Sequence, residues 1–114
     1  MIDYHSTLVA ALSPILPVYH EMTLTKDIKT PCISYMELSN VIEGQCKLLD
    51  YSRITYQVKV WGHDIGELQR YAQIIDSALR PLGWKRISCN EMYDRNSTMI
   101  QKILSYEGLV EEKY

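Results

Sequence analysis

Phenylalanine is missing from this chain, although nine tyrosines and two tryptophans are present. Most of the rings available for burial therefore carry a hydroxyl, which suits positions at the edge of a core or in a subunit contact, where one end of the ring stays wet. Excess charge is lacking too: 12 Lys and Arg stand against 14 Asp and Glu, a formal charge of −2. No basic surplus draws the chain onto phosphate backbones or anionic lipid, and specific DNA binding is not expected. Cysteine is scarce. Cys32, Cys46 and Cys89 are odd in number, widely spaced and without a CxxC pair, which excludes a disulfide framework and a zinc ribbon and leaves reduced, partly buried thiols. No apolar run approaches the roughly 18 residues that a membrane span requires. Asp3 and His5 stand where an export signal would carry basic residues, so the expectation is a chain neither exported nor anchored.

Signatures of chemistry are also missing. Gly62, Gly66, Gly83 and Gly108 form neither of the glycine-rich patterns that cradle phosphates. His5, His20 and His63 lack ligand spacing, and nothing brings His20, His63 or Cys89 within the roughly 3 Å that a nucleophile and its base require. Lys85 and Arg86 beside Trp84 are too few for a nucleic-acid track. The densest carboxylates, Glu107, Glu111 and Glu112, lie toward the C-terminal end and read as a solvated tail. The expectation is a protein that is not an enzyme, with no catalytic, cofactor-binding or metal-binding residue.

What is present is an ordinary globular mixture, 46% hydrophobic and 23% charged, in 114 residues. That length fits one domain over 1–114. Tyr4, Leu8, Ala11, Leu12 and Ile15 recur at three and four residues, predicting a helix from Asp3 to Ser13 with Asp3 as its cap and Pro14 and Pro17 as its stop. Val18–Glu21 reads as a short strand and 23–30 as a loop. Cys32–Leu38 reads as a strand buried on one face and part of the other. From Arg53 to Trp61, Ile54, Tyr56, Val58 and Val60 alternate with Arg53, Thr55, Gln57 and Lys59, predicting a strand with one buried and one plain wet face.

Asp64, with Glu67 three residues on, marks a second helix whose stripe is Ile65, Leu68, Tyr71, Ala72, Ile75, Leu79 and Leu82; Pro81 and Gly83 close it. Trp84–Tyr93 and Met99–Val110 then read as a hairpin about the turn cluster 94–97. The expected fold is α+β: a mainly antiparallel sheet of four to five strands with two helices packed on one face, in the order α-β-β-β-α-β-β.

The segment Asn40–Asp50, with Gly44 near its middle, is too long for a tight turn and too short for a crossover helix. It reads as a projecting hairpin loop carrying Val41, Ile42, Leu48 and Leu49, with Glu43, Gln45 and Lys47 at its rim. A partner would cover those four aliphatic side chains, making the loop the candidate assembly interface. The alternative is an extended hairpin that packs on itself.

The residues alone lead to an α+β domain with exposed apolar segments. The order and spacing of "LSPILPVYHE", "TPCISYMEL", "ITYQVKVWGHD", "ELQRYAQIIDSAL" and "GW" resemble, nearly end to end, the tail completion proteins of long-tailed bacteriophages, also called tail terminators or tail-to-head joining proteins. The strand ending in Val-Trp before a His-Asp helix start is the most family-like piece. The resemblance implies a homohexameric ring in the neck of the virion, assembled in the host bacterial cytoplasm. Such a ring sits on the last ring of tail tube protein, ends tail elongation and presents a surface to the head connector. DNA passes through it without specific binding, and neither membrane nor cofactor is involved. Another neck or minor tail protein of the head-tail connection is the nearest alternative. A small-ligand-binding regulatory α+β module is the alternative of a different class, and it would need a pocket with convergent polar groups.

Overall fold

A computed structural model of the chain describes residues 4–24, 28–46 and 49–113. Its elements are α1 (Tyr4–Leu12), β1 (Val18–His20), β2 (Cys32–Cys46), β3 (Leu49–Gly62), α2 (Ile65–Leu79), β4 (Lys85–Asp94) and β5 (Met99–Lys113), with 3₁₀ turns at Glu21–Thr23 and Arg80–Leu82. The strands form one sheet in the order β1-β2-β3-β5-β4. Only β1 runs parallel to its neighbour, Val18 standing opposite Ile33; the other pairings are antiparallel. The fold is α+β, in the order that the sequence predicts.

The period-two pattern of β3 builds the core. Ile54, Tyr56, Val58 and Val60 are buried, and Tyr56 and Val58 stand opposite Tyr106 and Leu104 of β5. Leu68, Ala72, Ile75 and Leu79 recur at helical spacing along α2 and pack into the same cluster, joined by Leu8 and Leu12 of α1. Tyr71 lies half-buried against this core, while Ile65 and Leu82, predicted on the same stripe, are half-exposed at the two ends of the helical segment.

Local signals set the ends of the helices. Asp64 caps α2, its Oδ1 accepting from the backbone N–H of Gly66 at 2.9 Å and of Glu67 at 3.3 Å, which satisfies two donors left bare at a helix start. Gly83 ends the segment at φ 93°, a left-handed conformation that costs glycine little. On α1, Ser13 donates from its N–H (2.9 Å) and its hydroxyl (2.7 Å) to the carbonyl of Val9, and Pro14 then offers no N–H to extend the ladder. The predicted cap Asp3 lies outside the described residues.

Three expectations are corrected. The segment Asn40–Asp50 is not a projecting loop but belongs to the extended hairpin that stood as the alternative: β2 runs to Cys46 and β3 begins at Leu49. Asn40 pairs with Ile54, Val41 with Arg53, Ile42 with Ser52, Gln45 with Asp50 and Cys46 with Leu49, with an irregularity between Ile42 and Gly44. The ladder satisfies backbone groups that a loop would leave to water, and it outweighs the poor strand propensity of Asn and Gly. Nor is the acidic C-terminal segment a tail, since Glu111 and Glu112 lie on β5 opposite Tyr51 and Asp50, while the Glu107 carboxylate lies 3.4 Å from Arg53. The outer face of β3 is not plainly wet either. Thr55, Gln57 and Lys59 are half-buried; Lys59 pairs with Glu21 at 2.5 Å, and the indole of Trp61 donates to the hydroxyl of the buried Ser34 at 2.8 Å.

Because β1 pairs only with residues 33–35 of β2, and β4 reaches only as far as Glu107 on β5, the sheet narrows at one end to three strands, β2-β3-β5. The molecule is accordingly elongated, 53 Å along its major axis and 24 Å across.

Candidate functional site

The sheet ends in two strand edges on opposite sides. On one side, β4 pairs with β5 through nine of its ten residues, Ile87 standing at an irregularity, and with nothing beyond it among the described residues. Apart from the half-buried Ser88, all its residues are exposed, among them the large apolar side chains of Ile87 (49%), Met92 (58%) and Tyr93 (59%). On the other side, β2 from Glu37 onward has only β3 beside it among the described residues, and Leu38 there is half-exposed. Bare N–H and C=O groups along a strand of this length form a template for another strand.

Charge pairs behind β4 fix its position. Lys102 of β5 is buried and its ammonium meets the Glu91 carboxylate at 2.6 Å. Nearby, the Tyr106 hydroxyl donates to Asp76 of α2 at 3.1 Å, and the same carboxylate takes Arg80 at 2.8 Å and faces Arg86 of β4 at 3.9 Å. Burial, and then the Asp76 charge, push the Tyr106 hydroxyl far above its ordinary pKa, so it remains a donor. The edge strand is thus held to β5 and α2 by its inner side, leaving its outer backbone edge open.

Of the residues singled out in the sequence as an assembly surface, Val41, Ile42, Glu43 and Gln45 stand on β2 and Leu49 opens β3. Lys47 and Leu48 lie outside the described residues. The first four belong to the stretch of β2 that has no outer neighbour among the described residues, so the predicted interface and that edge coincide along the backbone. Met92 and Tyr93 of the second edge were not anticipated. Their strand shows in the sequence, but its place at the sheet margin depends on β5 entering between β3 and β4, which no local pattern reveals.

The sheet face turned away from the helices carries a cleft of 390 Å³. Its apolar lining comes from Leu24, Ile28, Cys32, Trp61 and Met99, and its polar lining from Thr30, Asp94, Ser97 and Gln101. Burial pushes the Cys32 thiol up, away from reactive thiolate. Asp94 accepts from the N–H of Asn96 at 3.0 Å, and this bond, with help from Ser97, holds its carboxyl below the ordinary range. The cleft was not legible in the sequence because its walls come from three separated stretches, 24–32, Trp61 and 94–101.

His20 and His63 are occupied locally. His20 accepts from Met22 N–H through Nδ1 at 3.1 Å, and Nδ1 of His63 lies 3.0 Å from the carbonyl of Thr98, tying the start of α2 to the β4–β5 turn. Among the described residues no group of three or more His, Cys, Asp or Glu side chains is arranged to hold a metal, and no helix is long and apolar enough to cross a membrane. No family model matches the chain, and no curated protein matches it.

Proposed function

We propose that this protein is a structural subunit that joins copies of itself edge to edge into a ring, and that the ring caps the tail tube of a long-tailed bacteriophage. The observation that carries the reading is the pair of free edges on opposite sides of one sheet, β4 on one and β2 from Glu37 on the other. Two different surfaces that meet between identical copies make a head-to-tail contact, which repeats until the rotation closes. The resemblance to tail completion proteins supplies the number of copies, six, and the place, the neck of the virion between tail tube and head connector. There the ring ends elongation and offers the joining surface without catalysis, while DNA passes through without specific contacts. Another protein of the same head-tail connection would assemble by the same edges.

Light scattering and native mass spectrometry of the purified chain, alone and with tail tube protein, test this reading. A six-copy ring is expected, visible by negative-stain electron microscopy. Met92→Lys combined with Tyr93→Lys places charge on the β4 edge and should yield a monomer with an unchanged circular dichroism spectrum. Ile42→Ser, on the stretch of β2 beyond Glu37, should act alike from the other edge. A wild-type chain that stays monomeric under both conditions overturns the reading.

A further inference from the structure

We infer that the cleft on the open face of the sheet is a binding site for a small organic cation taken from solution, an ammonium or guanidinium group on a short hydrocarbon stem. The inference does not depend on ring assembly. The cleft's 390 Å³ lies within the range of small-molecule pockets, about 300–1,000 Å³, and would be filled by a stem of several carbons with its head group. Leu24, Ile28, Trp61 and Met99 line it and offer that stem apolar surface. Asp94 is the charged side chain among the described residues that line the cleft.

Its state is set by the turn. The Asn96 N–H and Ser97 favour the carboxylate, so Asp94 stays ionised across the neutral range and presents a fixed negative charge beside an apolar wall. Lys59, which stands 5.7 Å from the centre of the Trp61 ring, is already engaged by Glu21. The Trp61 indole N–H is bonded to Ser34, so the ring is pinned and offers the cleft its hydrocarbon surface. A cation on an apolar stem satisfies both parts of the site, whereas an anion of the same shape meets Asp94 repulsively.

The two tryptophans make the test direct, because Trp61 lines the cleft and Trp84 is buried in the core. In a ¹⁵N-labelled full chain, titration with n-hexylammonium, n-hexanol and hexanoate is followed at the two indole N–H resonances. Expected is movement of the Trp61 resonance alone, with hexylammonium binding about three- to fivefold more tightly than hexanol, as an exposed ion pair supports, and hexanoate weakest. Asp94→Asn, which retains an oxygen for the Asn96 N–H, should bring hexylammonium to the level of hexanol. Ser97→Phe, in the exposed turn, should fill the mouth and abolish both. Equal binding of hexylammonium and hexanol by the unmodified chain overturns the inference. So does a Trp61 resonance that none of the probes moves, or an Asp94→Asn variant that keeps the preference.

Discussion

Gly108 of β5 and Trp84 fit together because the glycine has no side chain: a Cβ there would stand 2.8 Å from Cζ3 of the indole and 2.9 Å from Cε3. The indole is buried and meets Tyr56 edge-on, ring centres 5.5 Å apart. It cannot retreat without disturbing that pair. Gly108→Ala should therefore destabilise the domain by about 1–3 kcal/mol through overpacking, and a denaturant melt would show the midpoint falling. Pairing the change with Trp84→Leu should lessen the added cost of the alanine, since the clashing ring is then gone.

Val58 is fully buried on the inner face of β3. An aspartate there would be a carboxylate without a partner in the core, at a cost of several kcal/mol, comparable with the whole stability of a small domain. Val58→Asp is expected to leave the chain unfolded by circular dichroism at room temperature. A native-like melt would show that the strand's faces are reversed.

These two sites differ in how far they can be read in advance. Val58 is legible because alternation is a local property, and apolar residues at every second position of β3, from Ile54 to Val60, fix which face turns inward. The stripe from Leu68 to Leu79 is legible for the same reason at helical spacing. The contact of Gly108 with Trp84 is not, for it depends on where β5 lies relative to the start of β4. The extension of β2 and β3 is one of two readings that the sequence allows, because Asn40 and Gly44 have low strand propensity; the ladder overcomes it and decides for the hairpin. The opposed edges and the cleft are products of strand order, which appears only when distant segments are brought together.

Asp64 serves two N–H groups at the start of α2. Asp64→Ala removes both bonds and should cost about 1 kcal/mol, while Asp64→Asn or Asp64→Ser should recover most of it. Thermal melts of the three variants decide this; equal losses in all three would place the contribution in charge rather than in capping.

Tyr106 ties stability to alkaline pH. Its hydroxyl is raised from an ordinary value of 10.0 by burial and by Asp76. Above about pH 10 the unfolded chain has released this proton while the native chain retains it, so the unfolded state binds fewer protons and stability falls as pH rises. Below pH 10 the contribution is fully present. Melting temperature should thus decline above pH 10, and Tyr106→Phe, although less stable at neutral pH for want of the bond to Asp76, should decline less steeply.

The sheet order also dictates a sequence of events in folding. β5 follows both β3 and β4 in the chain yet lies between them. Until β5 docks, β3 has one bare edge and β4, which pairs with β5 and not with β3, cannot enter the sheet ahead of it. The hairpins β2–β3 and β4–β5 and the helix α2 can form from nearby residues, whereas closure of the sheet waits on the docking of β5, with β4 beside it, against β3. Non-local pairing of this kind is slow, and the waiting strands are exposed to wrong partners while it lasts. Pulse-labelled hydrogen exchange would accordingly find amides of β3 protected on its β2 side before those facing β5.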